Sequence, residues 1–509
     1  MYRNSKFLNY ALLLVFLAAH VFLLFPFEHI VNKVLMTGLC LLGCLVLHAW
    51  SKSLGHLYTW LLALQFSVLY PIMAVYGKVN TDFLLSFYYS NFKESTSYLG
   101  IVPLKVWLIV ALNLFLAVLV GRRHFRLFTA TSRPRALLLT ALFIVITSGL
   151  TLRMLVLTRF EFTREGNYSY LSYLPLSKTG LDLYSKFNNV ALYRDNRDSM
   201  RAQLNVNPYT FDRLDLDKEI YMIVVGESVS KDYMNAYGYA AAENTPFISQ
   251  SPNIQFDHYI APASNTIRSL MEILSFKDKE GKPGSIFALL RSVKELKTIW
   301  ISGQERVGWK DNPVSIISSL ADTQVFLPDT RLNLASDRQA FELFREINDR
   351  QQYKVVFLHL YGSHPNACDR TGGVYSTFVQ NQDLSCYLES IRQTDLLLQD
   401  IHTYLQQHYK KYKLLFFSDH GLSTDGSRMV HGYQPASYRV PLNIWDDTCT
   451  RKTFLTPLRS GFDFKVLWPE FFGVHTTRLH SDYRFISGEK MPHELYIYDE
   501  NNRKAAWQP

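Results

Sequence analysis

The sequence has little cysteine, and it shows no internal repeat and no low-complexity segment. Five cysteines among 509 residues exclude a disulfide-dense secreted scaffold, which packs many cysteines into a short chain. Without repeats or biased tracts, the chain is neither a solenoid nor a fibrous protein. Its length exceeds one typical domain and is ample to bury a core.

Acidic residues are fewer than basic ones, but this excess does not indicate nucleic-acid binding. The formal net charge is +9. Five arginines lie together between two apolar runs, which is the position of a cytoplasmic loop in a membrane protein. This cluster consists of Arg122, Arg123, Arg126, Arg133 and Arg135. We therefore expect no nucleic-acid partner.

Five apolar runs near the N-terminus are long enough, or nearly so, to cross a bilayer, which needs about 20 residues. They cover residues 8–27, 34–50, 57–76, 104–121 and 136–152. A cleaved signal peptide is a weaker interpretation of the first run, because no small-residue cleavage site follows Pro26. The sequence predicts a transmembrane domain of five helices over residues 1–157.

The distribution of basic residues predicts the orientation of these helices. If the N-terminus is cytoplasmic, the inner segments carry Arg3, Lys6, Lys52 and the arginine cluster. The longer outer segments carry only Lys33, Lys78, Lys93 and Lys105. Five crossings then place everything after about residue 157 outside the cytoplasm.

Two aromatic-rich segments are predicted to lie near the bilayer surface. Residues 76–103 suggest an interfacial helix, with a solvated loop as the alternative. Residues 158–217, also rich in tyrosine, are predicted to be a membrane-proximal connector.

Residues 218–509 alternate short apolar strands with helical patterns. EIYMIVVG, LKTIWIS, YKVVFLHL and KLLFFSD are the predicted strands, and TIRSLMEILSF is a predicted amphipathic helix. This alternation predicts an α/β domain with a central, largely parallel sheet. Sites in such sheets form beyond the carboxyl ends of the strands. Five polar residues follow such ends: Glu227, Gln304, His364, Asp419 and His420.

Three of these residues, at two strand ends, have the chemistry of a metal site. A carboxylate at Glu227, after a buried strand, needs a metal or a basic partner; a cap for the next helix is the alternative. Asp419 and His420 are adjacent at another strand end, and Gly421 permits a sharp turn. Zinc accepts this mixture of oxygen and nitrogen ligands. A turn aspartate beside a surface histidine is the alternative for that pair.

Thr266 begins the predicted amphipathic helix. Ser264, Asn265 or Thr266 can simply cap that helix. However, backbone N–H groups at a helix N-terminus can also hold a phosphate, and a nearby cation would turn the hydroxyl into a nucleophile. His364 and His431 are candidate donors to a phosphoryl oxygen or a leaving alkoxide.

Cys368 and Cys386 flank a polar stretch in the predicted extracytoplasmic domain, where an oxidising compartment permits a disulfide. Cys40 and Cys44 lie within an apolar run, and Cys449 is left without a partner.

The motifs together resemble the membrane-anchored phosphoethanolamine transferases of the alkaline phosphatase/sulfatase superfamily. VVGES, AYGY, ENTPF, SNTIRSL, ISGQ, LHLYGSHP and SDHG have counterparts there in the same order. The resemblance covers essentially the whole chain and implies five transmembrane helices, a sulfatase-like catalytic domain and a bacterial inner-membrane location with that domain in the periplasm. It implies Zn²⁺, with Mn²⁺ as the alternative, bound by Glu227, Thr266, Asp419 and His420.

The resemblance also implies a reaction. Thr266 would be the nucleophile that takes phosphoethanolamine from phosphatidylethanolamine in the bilayer and passes it to a sugar hydroxyl of an envelope glycan. His364, His431, Asn265 and Gln304 would face the substrates. Two stretches, GSHPNACDRTGGVYSTFVQNQDLSCYLESIRQTDLLL and SFYYSNFKESTSYL, are similar to members that decorate osmoregulated periplasmic glucans.

Departures from the family pattern separate this chain from the lipid A-modifying members. Those members carry GET and CGT where this chain has GES and ASN, and they contain several disulfides. Transfer to lipopolysaccharide core or lipid A is an alternative, as is glycerophosphate transfer of the lipoteichoic acid synthase type. A sulfatase is disfavoured because no CxPxR or SxPxR motif surrounds Thr266, and a non-catalytic membrane receptor is the alternative from another class.

Overall fold

The computed structural model describes most of the chain. The described residues are 2–26, 28–76, 79, 84, 102–127, 133–157, 174–181, 183–184, 187, 213–278, 280–293, 296–304, 313–327, 334–348, 353–424, 426, 428–479, 481–499 and 503–508. The chain divides into two compact units, one containing the N-terminal helices and the other containing residues 193–509.

The N-terminal unit consists of long apolar helices. They are α1 (Tyr2–Leu24), α2 (Ile30–Trp50), α3 (Lys52–Tyr76), α4 (Leu104–Leu127) and α5 (Arg133–Leu157). Four stretches within α2 to α5 are long and apolar enough to cross a membrane. The apolar stretch described within α1, Tyr10–Leu24, is shorter, so a count of five membrane spans stays a prediction. Cys40 and Cys44 are buried among the side chains of this bundle.

The predicted surface segments fall largely outside the described residues. Part of the second one, a short helix over residues 175–181, packs within the N-terminal unit. Gln65 of α3 donates hydrogen bonds to Pro175 O (2.9 Å) and Thr179 Oγ1 (2.6 Å). Lys178 forms an ion pair with Glu28 at 2.9 Å.

The second unit is built on an eight-stranded mixed sheet. Its strands, in chain order, are β2 (Ile220–Gly226), β3 (Ile254–Phe256), β7 (Leu296–Ser302), β8 (Thr323–Phe326), β9 (Tyr353–His359), β10 (Tyr412–Ser418), β13 (Leu442–Asp446) and β14 (Thr453–Leu455). The spatial order is β14-β3-β13-β10-β2-β9-β7-β8. From β10 to β8 all neighbours are parallel, whereas β13 is antiparallel to both β10 and β3.

Helices cover both faces of this sheet. They are α6 (Pro246–Gln250), α7 (Thr266–Leu274), α8 (Ile286–Arg291), α9 (Pro313–Ser318), α10 (Leu334–Ile347), α11 (Ala367–Arg370), α12 (Gln382–His408) and α13 (Phe464–Phe472). Successive side chains of a strand point to opposite faces, so β2 contributes Ile223 and Val225 to one core and Met222 and Val224 to the other. All seven residues of β2 are buried, which explains its unbroken apolar run.

Short strands complete the unit as two-stranded sheets. They are β1 (Arg213–Leu214), β4 (Tyr259–Ile260), β5 (Ser275–Lys277), β6 (Pro283–Ser285), β11 (Ser423–Thr424), β12 (Met429–Val430), β15 (Arg459–Ser460), β16 (Val474–His475), β17 (Tyr496–Tyr498) and β18 (Lys504–Ala506). Single 3₁₀ turns cover Lys231–Tyr233, Asn235–Tyr237, Pro435–Ser437, Gly461–Asp463 and Thr477–Leu479.

Candidate metal centre

The carboxyl ends of four adjacent parallel strands carry the predicted site residues. Glu227 follows β2, Asp419 and His420 follow β10, His364 lies five residues after β9, and Gln304 lies two residues after β7. Ser418 pairs with Gly226, so β10 and β2 end at the same level. The predicted clustering at one edge of the sheet is what parallel register produces.

Glu227, Asp419 and His420 form a compact buried cluster. Their side chains are at most 1% exposed, and each offers a ligand atom within 4.8 Å of the others. His420 Nε2 lies 3.3 Å from Glu227 Oε1 and 3.6 Å from Asp419 Oδ2. Two carboxylates so close and so deeply buried favour a cation between them.

The electrostatics of the cluster agree with a cation site. Burial and the neighbouring charge of Glu227 raise the pKa of Asp419. Burial opposes ionisation of Glu227 as well, but its hydrogen bond and charge interaction with His420 hold its pKa well below the usual value. Asp419 Oδ2 is buried without a hydrogen-bond partner among the described residues. A bound cation would both satisfy that oxygen and neutralise the repulsion.

Backbone hydrogen bonds fix the ligands relative to one another. Asp419 N donates to Gly226 O (3.0 Å), and Ser228 N donates to Asp419 Oδ1 (3.1 Å). Ser363 N donates to Glu227 O at 2.9 Å. The ends of β2, β9 and β10 are therefore interlocked at the site.

Ser228 adopts a left-handed backbone conformation with φ of 63°. Its hydroxyl donates a hydrogen bond to Glu227 Oε1 at 2.6 Å. A non-glycine residue in this region is uncommon and is strained, and such strain is concentrated at functional sites.

Thr266 is the first residue of α7 and brings its hydroxyl to the cluster. Oγ1 lies 2.9 Å from Glu227 Oε2 and 3.3 Å from His420 Nε2. Asn265 caps the helix, because its Oδ1 accepts a hydrogen bond from Arg268 N at 3.0 Å. Its Nδ2 is buried and has no partner among the described residues. The helix N-terminus and this amide together offer donors to an anion.

His364 and His431 extend the site beyond the cluster. The ring of His431 is centred 5.1 Å from that of His420 and 5.7 Å from that of His364. Burial lowers the pKa of His364 to about 4 and holds the pKa of His431 well below its usual value. Both imidazoles are therefore neutral at pH 7.

Tyr361, Arg370 and Asp337, which were not predicted from the sequence, form a chain of contacts that leads to His364. The ring of Tyr361 stacks on His364 with centroids 5.4 Å apart, and the guanidinium of Arg370 lies 3.2 Å from the Tyr361 centroid. Asp337 of α10 accepts hydrogen bonds from Tyr361 N (2.7 Å) and Gly362 N (3.0 Å). No sequence motif identifies Asp337, because its hydrogen bonds join helix α10 to a turn that lies 24 residues further along the chain.

Cys368 and Cys386 form a disulfide with a Cα–Cα distance of 4.9 Å. It joins α11, which carries Arg370, to α12. Cys40, Cys44 and Cys449 are free.

The sequence of this chain is similar to those of several known proteins. Residues 219–464 match the sulfatase family model. The phosphoethanolamine transferase OpgE of Escherichia coli K12 is 27% identical over 449 residues, covering 84% of this chain and 82% of the relative. A putative phosphoethanolamine transferase of Haemophilus influenzae is 36% identical over 221 residues, or 40% of this chain and 45% of the relative.

Solved structures share the fold. The lipooligosaccharide phosphoethanolamine transferase EptA of Neisseria meningitidis, an integral membrane protein, aligns with a TM-score of 0.56 at 14% identity, over 94% of this chain and 96% of that one. The periplasmic domain of Escherichia coli EptC, solved in complex with Zn, aligns with a TM-score of 0.50 at 17% identity, over 59% of this chain and 96% of that domain.

Proposed function

We propose that this chain is a phosphoethanolamine transferase of the alkaline phosphatase superfamily, and that it transfers phosphoethanolamine from phosphatidylethanolamine to a sugar hydroxyl; the sulfatase-family match and the similarity to OpgE support this. The observation that carries the proposal is the position of Thr266. Its hydroxyl contacts both Glu227 and His420 at the N-terminus of α7. A hydroxyl among metal-binding groups and anion-binding amides is suited to attack phosphorus.

The reaction has two steps. Thr266 Oγ1 first loses its proton and forms a bond to phosphorus, while the bond from phosphorus to the glycerol oxygen breaks and that oxygen takes up a proton as diacylglycerol leaves. A sugar hydroxyl then attacks the same phosphorus and loses its proton, and the Thr266 oxygen leaves and regains one. The phosphoethanolamine thus passes through a covalent adduct on Thr266.

We propose that His364 and His431 move these protons. A neutral imidazole can accept the proton of the attacking sugar hydroxyl and then return it to the leaving threonine oxygen. The buried Nδ2 of Asn265 would donate to a phosphoryl oxygen. Gln304 is the fourth residue predicted to face the substrates, and its side-chain nitrogen lies 3.3 Å from Glu227 Oε2.

The donor set fits zinc. The oxygen and nitrogen ligands that zinc accepts are offered by Glu227, Asp419, His420 and Thr266. Asp419 Oδ2 has no hydrogen-bond partner among the described residues, so a bound ion would satisfy it. Bound zinc would lower the pKa of the Thr266 hydroxyl and offset the charge on the phosphoryl group. The Zn complex of the EptC domain supports zinc as the ion, and Mn²⁺ stays the alternative.

The membrane setting suits a lipid donor. Four apolar helices of membrane-spanning length precede the second unit. We propose that they anchor the protein in a bacterial inner membrane with the N-terminus in the cytoplasm and residues 218–509 in the periplasm. An osmoregulated periplasmic glucan is the favoured acceptor, because the stretches that begin at Gly362 and at Ser86 resemble members that decorate such glucans.

Mass spectrometry of the zinc-loaded protein with phosphatidylethanolamine, and without an acceptor, tests the donor and the nucleophile together. We expect one phosphoethanolamine increment on the peptide that contains Thr266. Thr266→Ala should remain unmodified, whereas Thr266→Ser keeps a hydroxyl and should retain part of the signal. An increment of the same size in the alanine variant would contradict the assignment.

The same experiment separates the rival donors and acceptors. An increment with phosphatidylglycerol alone, of glycerophosphate mass, would favour a reaction of the lipoteichoic acid synthase type. Adding periplasmic glucan, lipopolysaccharide core or lipid A to the preformed adduct should discharge it only with the true acceptor.

A further inference from the structure

His359 lies behind the metal cluster and has no role in the two transfer steps. His359 is the last residue of β9, where it pairs with Val225 of β2 on one side and with Ser302 of β7 on the other. Its side chain is only 4% exposed and lies against the ring of Trp300, with centroids 5.4 Å apart. This histidine is therefore held between β2 and β7, the strands that precede Glu227 and Gln304.

Hydrogen bonds link His359 to Gln304. His359 Nδ1 lies 3.1 Å from Ser302 Oγ, which also accepts a hydrogen bond from Gln304 N at 3.1 Å. His359 Nε2 lies 3.3 Å from Gln304 Nε2. The imidazole thus contacts both the backbone support and the side-chain amide of Gln304.

The amide of Gln304 in turn contacts the metal cluster. Its Nε2 donates to Leu360 O at 2.9 Å and reaches Glu227 Oε2 at 3.3 Å. The other oxygen, Glu227 Oε1, accepts from the Ser228 hydroxyl. Donors on both oxygens restrict rotation of the carboxylate.

The chemistry of an amide suits this task. An uncharged donor orients a carboxylate without neutralising it, so the negative charge stays available to a cation; lysine or arginine would compete with the ion. Residues that orient ligand carboxylates in this way often change metal affinity by about 10- to 100-fold when replaced.

We propose that Gln304, held in place by His359, is a positioning residue that aims the carboxylate of Glu227 at the metal ion. This inference rests on the proposed zinc site, but it does not depend on the identity of the donor or of the acceptor. It assigns Gln304 a role in metal binding and gives His359 its first role.

Zinc affinity, measured on the full-length protein by competition with a chelator, tests the inference without turnover. Gln304→Met keeps the length of the side chain and removes its donors. We expect zinc affinity to fall about 10- to 100-fold, a change that the loss of a residue contacting only the substrates would not produce. Unchanged zinc affinity with a raised KM would overturn the proposal and make Gln304 a substrate-binding residue.

His359 offers a rescue test. His359→Phe should weaken zinc binding, whereas His359→Gln places an amide near the former Nε2 and should restore much of the affinity. His402→Phe is the matched control: it also removes a buried imidazole, one that lies 3.1 Å from the Tyr412 hydroxyl, and should leave zinc affinity unchanged. Equal weakening in the control would show a general effect of core disruption and overturn the role of His359.

The outcomes also separate this inference from the proposed function. If the unmodified protein binds zinc, and Gln304→Met weakens that binding, the positioning role stands even where no phosphoethanolamine is transferred. Transfer by Gln304→Met with normal zinc affinity would retain the function and reject the positioning role.

Discussion

Gly362, in the turn between β9 and His364, packs closely against Glu227. Gly362 has φ of 46°, and a Cβ at this position would lie 2.9 Å from Glu227 O and 3.1 Å from Glu227 N. Both neighbours are backbone atoms of a predicted metal ligand, so they cannot move aside cheaply. The turn and the metal ligand therefore share one tightly packed space.

Gly362→Ala should abolish most transfer activity and weaken zinc binding. The new methyl group combines left-handed strain of about 1 kcal/mol with displacement of Glu227 or His364. Zinc titration and the transfer assay measure the effect.

Gly372→Ala is the control for this substitution. Gly372 has φ of 62°, but a Cβ there meets no atom within 4 Å. This variant should lose about 1 kcal/mol of stability and keep both zinc binding and transfer. Equal loss of activity in the two variants would mean that strain, and not the contact with Glu227, is responsible.

At the residue scale, the site residues that could be predicted from the sequence are those that directly follow a strand or begin a helix. Glu227, Asp419 and His420 meet in the structure because parallel strands end at one edge, and Thr266 reaches them from the N-terminus of α7. Ser228, Asp337 and His359 were missed. The role of Ser228 depends on its backbone φ angle, and the roles of Asp337 and His359 depend on hydrogen bonds to residues at least 24 positions away in the sequence. Neither feature leaves a local sequence pattern.

At the scale of elements, the disulfide connects two helices beside the site. Cys368 lies in α11 and Cys386 in α12, 18 residues apart. Closing a loop of this length stabilises a protein by about 3 kcal/mol through the unfolded chain. The helix that carries Cys368 also carries Arg370, which lies over Tyr361, the residue that stacks on His364.

Replacing both cysteines with alanine should lower the free energy of unfolding by about 3 kcal/mol and reduce the transfer rate. Denaturant unfolding with and without a reductant measures the first effect, and the reduced native protein should match the variant. Cys449→Ala removes a free thiol and should change neither quantity. Unaltered stability in the double variant would show that the link adds nothing to the fold.

Long apolar runs predicted their elements well, and short strands were not foreseen. The predicted runs correspond to β2, β7, β9, β10 and α7. The sequence did not predict the antiparallel strand β13 or the three-residue strands β3 and β14, because their pairing depends on neighbours distant in sequence. These strands make the sheet mixed.

At the scale of the whole molecule, the orientation across the membrane is a prediction that labelling can check. Cys449 is partly exposed in the second unit, while Cys40 and Cys44 are buried. A membrane-impermeant maleimide applied to spheroplasts should label Cys449 alone. Because burial raises the pKa of this thiol, labelling should increase as the pH is raised above neutral.

Ser51→Cys, placed in a Cys449→Ser background, provides the opposite control. Ser51 lies between α2 and α3, on the side predicted to face the cytoplasm. It should react only after the membrane is permeabilised. Labelling in intact spheroplasts would reverse the predicted orientation.

The interlocked strand ends at the metal centre have a consequence for the supply of the ion. Because Asp419 is tied to the backbone of β2 and Glu227 to the turn after β9, folding alone sets the spacing of the ligands. Little ordering remains to be done when an ion arrives, so most of its binding energy is retained. If the proposed zinc site is correct, such a protein would be expected to lose and regain the ion without refolding.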